Sequence, residues 1–145
     1  MNIRKPNEVE IEKILALSPQ AIFEGTLGET EPTMERAKQL VEPLLKKGCY
    51  YLISTENNVM TGWILIGGSK DNFSGKAFGF IYELFVLEEY RGKGISKQLI
   101  KTGMEQLKQE GYFEIRLSVF DGNPAMKIYE SLGFENRTIT MSISL

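Results

Sequence analysis

Apolar positions recur at helical spacing in some stretches of the chain and at strand spacing in others. Val9, Ile11, Ile14, Leu15 and Leu17 follow Asn7, a helix-capping residue, and predict a first helix over 7–17. Ser18-Pro19, Gly25, Gly28 and Pro32 then read as a turn-rich stretch. Thr33 suits the cap of a second helix reaching Lys47, with Ala37, Leu40, Val41, Leu44 and Leu45 inward and Gly48 as its stop. Pro43 predicts a kink or break near Glu42. Cys49–Ser54 and Met60–Ile66 flank Glu56-Asn57-Asn58 as a hairpin, and 67–75 reads as a polar, glycine-containing loop. Lys76–Leu87 predicts a central strand, and a helix over 93–110 buries Ile95, Leu99, Ile100, Gly103 and Leu107. Phe113–Phe120 predicts another strand and Asn123–Leu132 a short helix. Ile139, Met141, Ile143 and Leu145 alternate as a half-buried final strand, whose edge a second copy could pair with or exchange. The order αα-βββ-α-β-α-β, with room for a short first strand at residues 2–5, predicts an α/β fold with a mixed sheet.

Composition narrows the class of protein. At 145 residues without repeat or linker, the chain predicts a single domain over 1–145. No apolar run approaches the roughly 20 residues of a membrane span, and the first residues lack the apolar stretch of a signal peptide. No membrane partner is expected. Cys49, the only cysteine, has no disulfide partner within the chain, which fits a cytoplasmic location. Histidine is absent, so Ser-His-Asp and Cys-His mechanisms and His-ligated metals are excluded within the chain. No metal is expected. With 17 Lys+Arg against 19 Asp+Glu, bulk positive charge for nucleic acid is lacking. Acid–base chemistry falls to Glu, Asp, Lys, Tyr, Cys or a terminus.

Two segments carry candidate chemistry. Arg91-Gly92-Lys93-Gly94-Ile95-Ser96 joins the central strand to the following helix. Glycines there let successive N–H groups point into one concavity at a helix N-terminus, a backbone cradle for phosphate, with Arg91, Lys93 and Lys97 adding charge. A plain strand-to-helix turn would use glycine at the same places. Neither GxxxxGK[ST] nor GxGxxG is present. The second segment is Asn123-Pro124-Ala125-Met126-Lys127-Ile128-Tyr129-Glu130-Ser131-Leu132-Gly133-Phe134. Its cap, first-turn proline and terminal glycine punctuate a short helix that puts Ala125, Ile128, Tyr129 and Leu132 on one face. Tyr129 is either a core tyrosine or a proton donor at a cleft edge.

Together the two segments resemble the GCN5-related N-acetyltransferase (GNAT) family. That family has an apolar-acidic-apolar strand followed by (Gln/Arg)-x-x-Gly-x-(Gly/Ala). An Asn-x-x-Ala-x-x-x-Tyr-x-x-x-Gly-Phe segment lies some thirty residues on. Here Glu83 to Leu87 and Arg91 to Ser96 are followed by Asn123, Ala125, Tyr129, Gly133 and Phe134; Ser96 replaces the usual Gly or Ala, and Asn123 stands one residue nearer Ala125 than in that pattern. The resemblance implies a mostly antiparallel central sheet flanked by helices and acetyl-CoA as cofactor, with CoA as product. It places the pyrophosphate at Arg91, Gly92, Lys93, Gly94, Ile95, Ser96 and Lys97, and the pantetheine along Leu84, Phe85 and Val86, with Asn123 beside it.

The implied reaction is direct transfer of the acetyl group to a primary amine of a small molecule. A strand N–H near Phe85 or Val86 would meet the oxyanion, and Tyr129 would protonate the leaving thiolate. Glu83 is the candidate base, directly or through water; a structural carboxylate is its other reading. Alternation puts Glu83 on the side of Phe85, with Tyr82 and Leu84 opposite, and Tyr82 is a second candidate for the cleft. Phe23, Glu24, Glu29, Glu31 and Glu35 lie where the family walls its acceptor pocket, either as a cation-favouring rim or as a solvated loop. A protein or peptide acceptor, or a CoA-binding regulatory module without catalysis, are the alternatives. Cys49 reads as a small buried strand residue rather than an acyl carrier.

Overall fold

A computed structural model describes residues 1–145. The elements are β1 (Asn2–Arg4), α1 (Glu8–Gly25), α2 (Met34–Lys46), β2 (Tyr50–Glu56), β3 (Val59–Lys70), β4 (Ala77–Val86), α3 (Ile95–Gln109), β5 (Ile115–Leu117) and α4 (Ala125–Ser131). The sheet runs in chain order from β1 to β5, antiparallel throughout except for the parallel β4–β5 pair. This is the predicted α/β class with a mixed, mostly antiparallel sheet.

Local chemistry sets the helix boundaries. Asn7 and Glu10 form a reciprocal cap on α1, with Oδ1 accepting from the Glu10 N–H at 2.8 Å and Oε1 from the Asn7 N–H at 2.9 Å. Arg4 donates to both Glu10 oxygens at 2.8 Å and ties β1 to this cap. Helix α1 does not stop at Ser18-Pro19, as the sequence predicted, but runs to Gly25. The buried Ser18 hydroxyl donates to the Ile14 carbonyl at 2.8 Å, adding a helix-compatible bond beside the N–H that Pro19 lacks. Helix α2 begins at the predicted cap, Thr33, and passes through Pro43 unbroken; Leu40 lies on its solvent side.

The hairpin turn falls on Asn57 and Asn58, both left-handed as a two-residue β-turn requires. Strand β3 then continues through Gly67-Gly68, where a loop was expected. A Cβ on Gly67 would strike the Cys49 side chain, and one on Gly68 the Tyr112 hydroxyl, so these glycines make room for neighbours rather than turn the chain. The reversal comes at Asp71, whose Oδ1 accepts from the Phe73 and Ser74 N–H groups at 2.8 and 3.0 Å.

Two apolar layers cover the sheet. Ile14, Val41, Tyr51, Ile53, Trp63, Leu65 and Phe85 pack with α1 and α2 on one face. Leu52, Ile64, Ile66, Ile81, Val86, Leu99, Ile100, Leu107 and Tyr129 pack with α3 and α4 on the other. The buried positions of α3 are those the pattern predicts. The C-terminal alternation is not realised as a strand: 135–145 are exposed and unpaired, because no neighbouring strand of the chain lies beside them.

Candidate active site

Strand β4 carries one residue more than β3 at its middle. Leu65 pairs with Glu83 and Ile66 with Ile81, so Tyr82 has no partner. The irregularity resets the alternation. Phe80, Tyr82, Glu83 and Phe85 all belong to the α1/α2 side, whereas Ile81, Leu84 and Val86 belong to the other. The expectation that Tyr82 faces away from Glu83 is therefore corrected. Tyr82 lies on the Glu83 side, with its hydroxyl donating to the Gly68 carbonyl at 3.2 Å.

The second device is divergence. Strands β4 and β5 pair only from Gly79↔Ile115 to Ile81↔Leu117. Beyond that point a cavity of about 220 Å³ opens between them. Ile81 to Leu84 form one wall and Leu117 to Phe120 the other; Asn123, Tyr129 and the last turns of α1 complete it. Predicted residues Glu83, Leu84, Asn123 and Tyr129 are thus brought together, though they come from separate elements. Phe85 and Val86 are buried at the end of β4.

Glu83 is the carboxylate of this cavity. Its Oε1 accepts from the Trp63 indole N–H at 2.5 Å. Burial raises its pKa to about 7, and the indole bond opposes part of that rise. Tyr51 stands in the same transverse row, through Tyr51↔Leu65 and Leu65↔Glu83, with its buried hydroxyl lacking a partner. Burial, and then the charge of Glu83, push that phenol upward. Tyr129 is 8% exposed, lies edge-on to Phe134, and is pushed up by burial to about 12. It keeps its proton across the neutral range. Trp63 and Tyr51 were not predicted as site residues. Their apolar surroundings in the sequence read as core, and only strand register brings them to Glu83.

The Arg91–Lys97 turn sits where β4 leads into α3. Gly92 and Gly94 have φ of 81° and 78°, and a Cβ at either would meet nothing within 4 Å. No side chain caps α3, so its first amides are left without a side-chain partner. This fits a diphosphate. Lys93 and Lys97 are exposed beside it, with Lys93 Nζ 5.5 Å from the Tyr90 ring centroid. Arg91 is already engaged: Nε donates to the Val86 carbonyl at 2.8 Å and Nη1 pairs with Glu24 at 2.8 Å. It straps the turn to the end of α1. Asn123 is also occupied, accepting from the Ala125 N–H at 2.9 Å and donating to the Gly25 carbonyl at 3.3 Å. Glu29, Glu31 and Glu35 are exposed and outside the cavity walls, and Cys49 is buried against Gly67.

Comparison with known proteins agrees with this architecture. The acetyltransferase (GNAT) family model matches residues 13–134. An uncharacterized N-acetyltransferase of Bacillus subtilis strain 168, YycN, is 32% identical over 116 residues, covering 75% of this chain and 73% of that protein. A putative acetyl transferase from Pyrococcus furiosus superposes with a TM-score of 0.83 at 27% identity, covering 99% of both chains. A predicted acetyltransferase from Clostridium acetobutylicum, solved with acetyl-CoA, gives a TM-score of 0.75 at 19% identity over 99% of this chain and 95% of its own. The chain belongs to the GNAT family. It is an N-acetyltransferase that takes its acetyl group from acetyl-CoA.

Proposed function

We propose that residues 1–145 act as one catalytic domain that acetylates a primary amine of a small molecule. The observation that carries this reading is the pair of Glu83 and Tyr129 on the walls of one cavity, a carboxylate raised to about 7 and a phenol that stays protonated.

The residues divide the work by position. The amides after Gly94, with Lys93 and Lys97, hold the diphosphate of the cofactor, and the Leu84–Val86 backbone pairs with its amide-bearing arm. Bound acetyl-CoA supplies an electrophilic thioester carbonyl and a thiolate leaving group. Glu83 accepts a proton from the incoming ammonium, and the backbone N–H near Phe85 or Val86 meets charge developing on the carbonyl oxygen. As the new C–N bond forms and the C–S bond breaks, Tyr129 would donate its proton to the departing sulfur and be reprotonated by the second proton that the acylated nitrogen loses. No nucleophile of the chain is needed.

Thiol release should be followed with polyamines, aminosugars, amino acids and lysine- or N-terminal peptides as acceptors. Turnover of a small amine, lost in Glu83→Gln, is the expected result. Turnover of peptides alone overturns the small-molecule assignment.

A further inference from the structure

Tyr51 is 2% exposed, in the apolar layer that packs with α1 and α2, and its hydroxyl has no hydrogen-bond partner. An unpaired hydroxyl in such surroundings costs free energy that phenylalanine at the same position avoids, so the oxygen calls for a use. Other hydroxyls on this side of the sheet are committed to carbonyls. Ser18 of α1 donates to Ile14 at 2.8 Å, and Tyr82 to Gly68 at 3.2 Å.

Strand register selects the group that Tyr51 can serve. Tyr51, Leu65 and Glu83 stand side by side on β2, β3 and β4. Neighbouring strands lie about 4.8 Å apart, so the outer two are separated by roughly 10 Å, a span that a phenol, a carboxylate and one water fill. Trp63 bonds to Oε1 of Glu83 and leaves the second oxygen without a donor from the chain. Burial and the charge of Glu83 keep the Tyr51 phenol protonated, so it remains a donor. The other ionisable groups on the cavity wall are the phenols of Tyr82 and Tyr129; α1, α2 and the Leu117–Phe120 segment bring none.

We propose that Tyr51 is a positioning residue for Glu83: through one bridging water its hydroxyl serves the second carboxylate oxygen, and with Trp63 it fixes the ionised carboxylate at the cavity wall. A donor to the ionised form favours that form, and without it the carboxyl group keeps its proton to higher pH. The kinetic consequence rests on the reading of Glu83 as the base.

Trp63 is the only tryptophan of the chain, so its fluorescence reports the ionisation of the carboxyl group it touches. A pH titration of the full chain should show a transition near 7 that disappears in Glu83→Gln and moves up by about one pH unit in Tyr51→Phe. An unmoved midpoint in Tyr51→Phe overturns the proposal. The acid limb of kcat/KM should move by the same amount. A midpoint that moves while the limb stays would mean that Tyr51 positions Glu83 but that Glu83 is not the base. Carbon NMR of the unmodified protein, labelled at tyrosine Cζ, tests the contact without relying on a variant that folds. The Tyr51 signal should shift with the same midpoint, and a signal indifferent to that titration overturns the proposal.

Discussion

Glu83 owes its role to two opposed effects on one carboxyl group. Burial lifts its pKa to about 7 and the Trp63 N–H pulls it back. As a base it must be ionised, so kcat/KM is expected to rise with pH through a limb near 7. Trp63→Phe removes the opposing bond, and the limb should move to higher pH; a pH–rate profile with an unmoved limb would show that the indole does not position the base. Glu83→Gln should lower turnover by about a hundredfold or more. Tyr129→Phe should cost a similar factor in kcat while calorimetry shows acetyl-CoA binding unchanged. An unaltered rate would remove Tyr129 from the reaction.

At the scale of elements, the strand-to-helix turn is the most sequence-determined part of the site. Gly92 and Gly94 need left-handed backbone, and a β-branched residue adopts it only with strain. Gly94→Val is therefore expected to weaken CoA binding at least tenfold by titration, with the rest of the fold retained. The α1 cap was equally legible: Asn7→Ala should cost about 1 kcal/mol in urea denaturation. Signals of this kind are local, which is why the caps, the asparagine turn and the inner face of α3 were readable. Features that depend on pairing were not. The unpartnered Tyr82 gives no signal in the sequence, and without it alternation assigned Tyr82 to the wrong face. Gly67-Gly68 looked like a loop because the close approach of Cys49 and Tyr112 is a tertiary fact. The tail had the right period, but a period names a strand without supplying its neighbour.

Over the whole molecule, the titrating groups pull stability in opposite directions. Between 4.5 and about 7 the folded chain keeps on Glu83 a proton that the unfolded chain releases, so stability falls as pH rises across that window. Glu83→Gln should flatten that slope in melting temperature against pH. Asp71 acts the other way. The Ser74 and Phe73 N–H groups and Arg116 lower it to about 2, so its contribution is present above 3.8 and lost as pH falls towards 2. Melting curves of Asp71→Asn should show a weaker acid decline. The supernumerary residue of β4 also governs how the chain tolerates changes of length. Substituting Tyr82 leaves the phase of the strand intact, but deleting it would turn Glu83 towards the α3 layer or slip every residue on one side of it. The exposed connection from 26 to 33 has no such phase to keep. Insertions and deletions in natural variants are therefore expected to gather in that connection and to avoid β4, even where single substitutions within β4 are accepted.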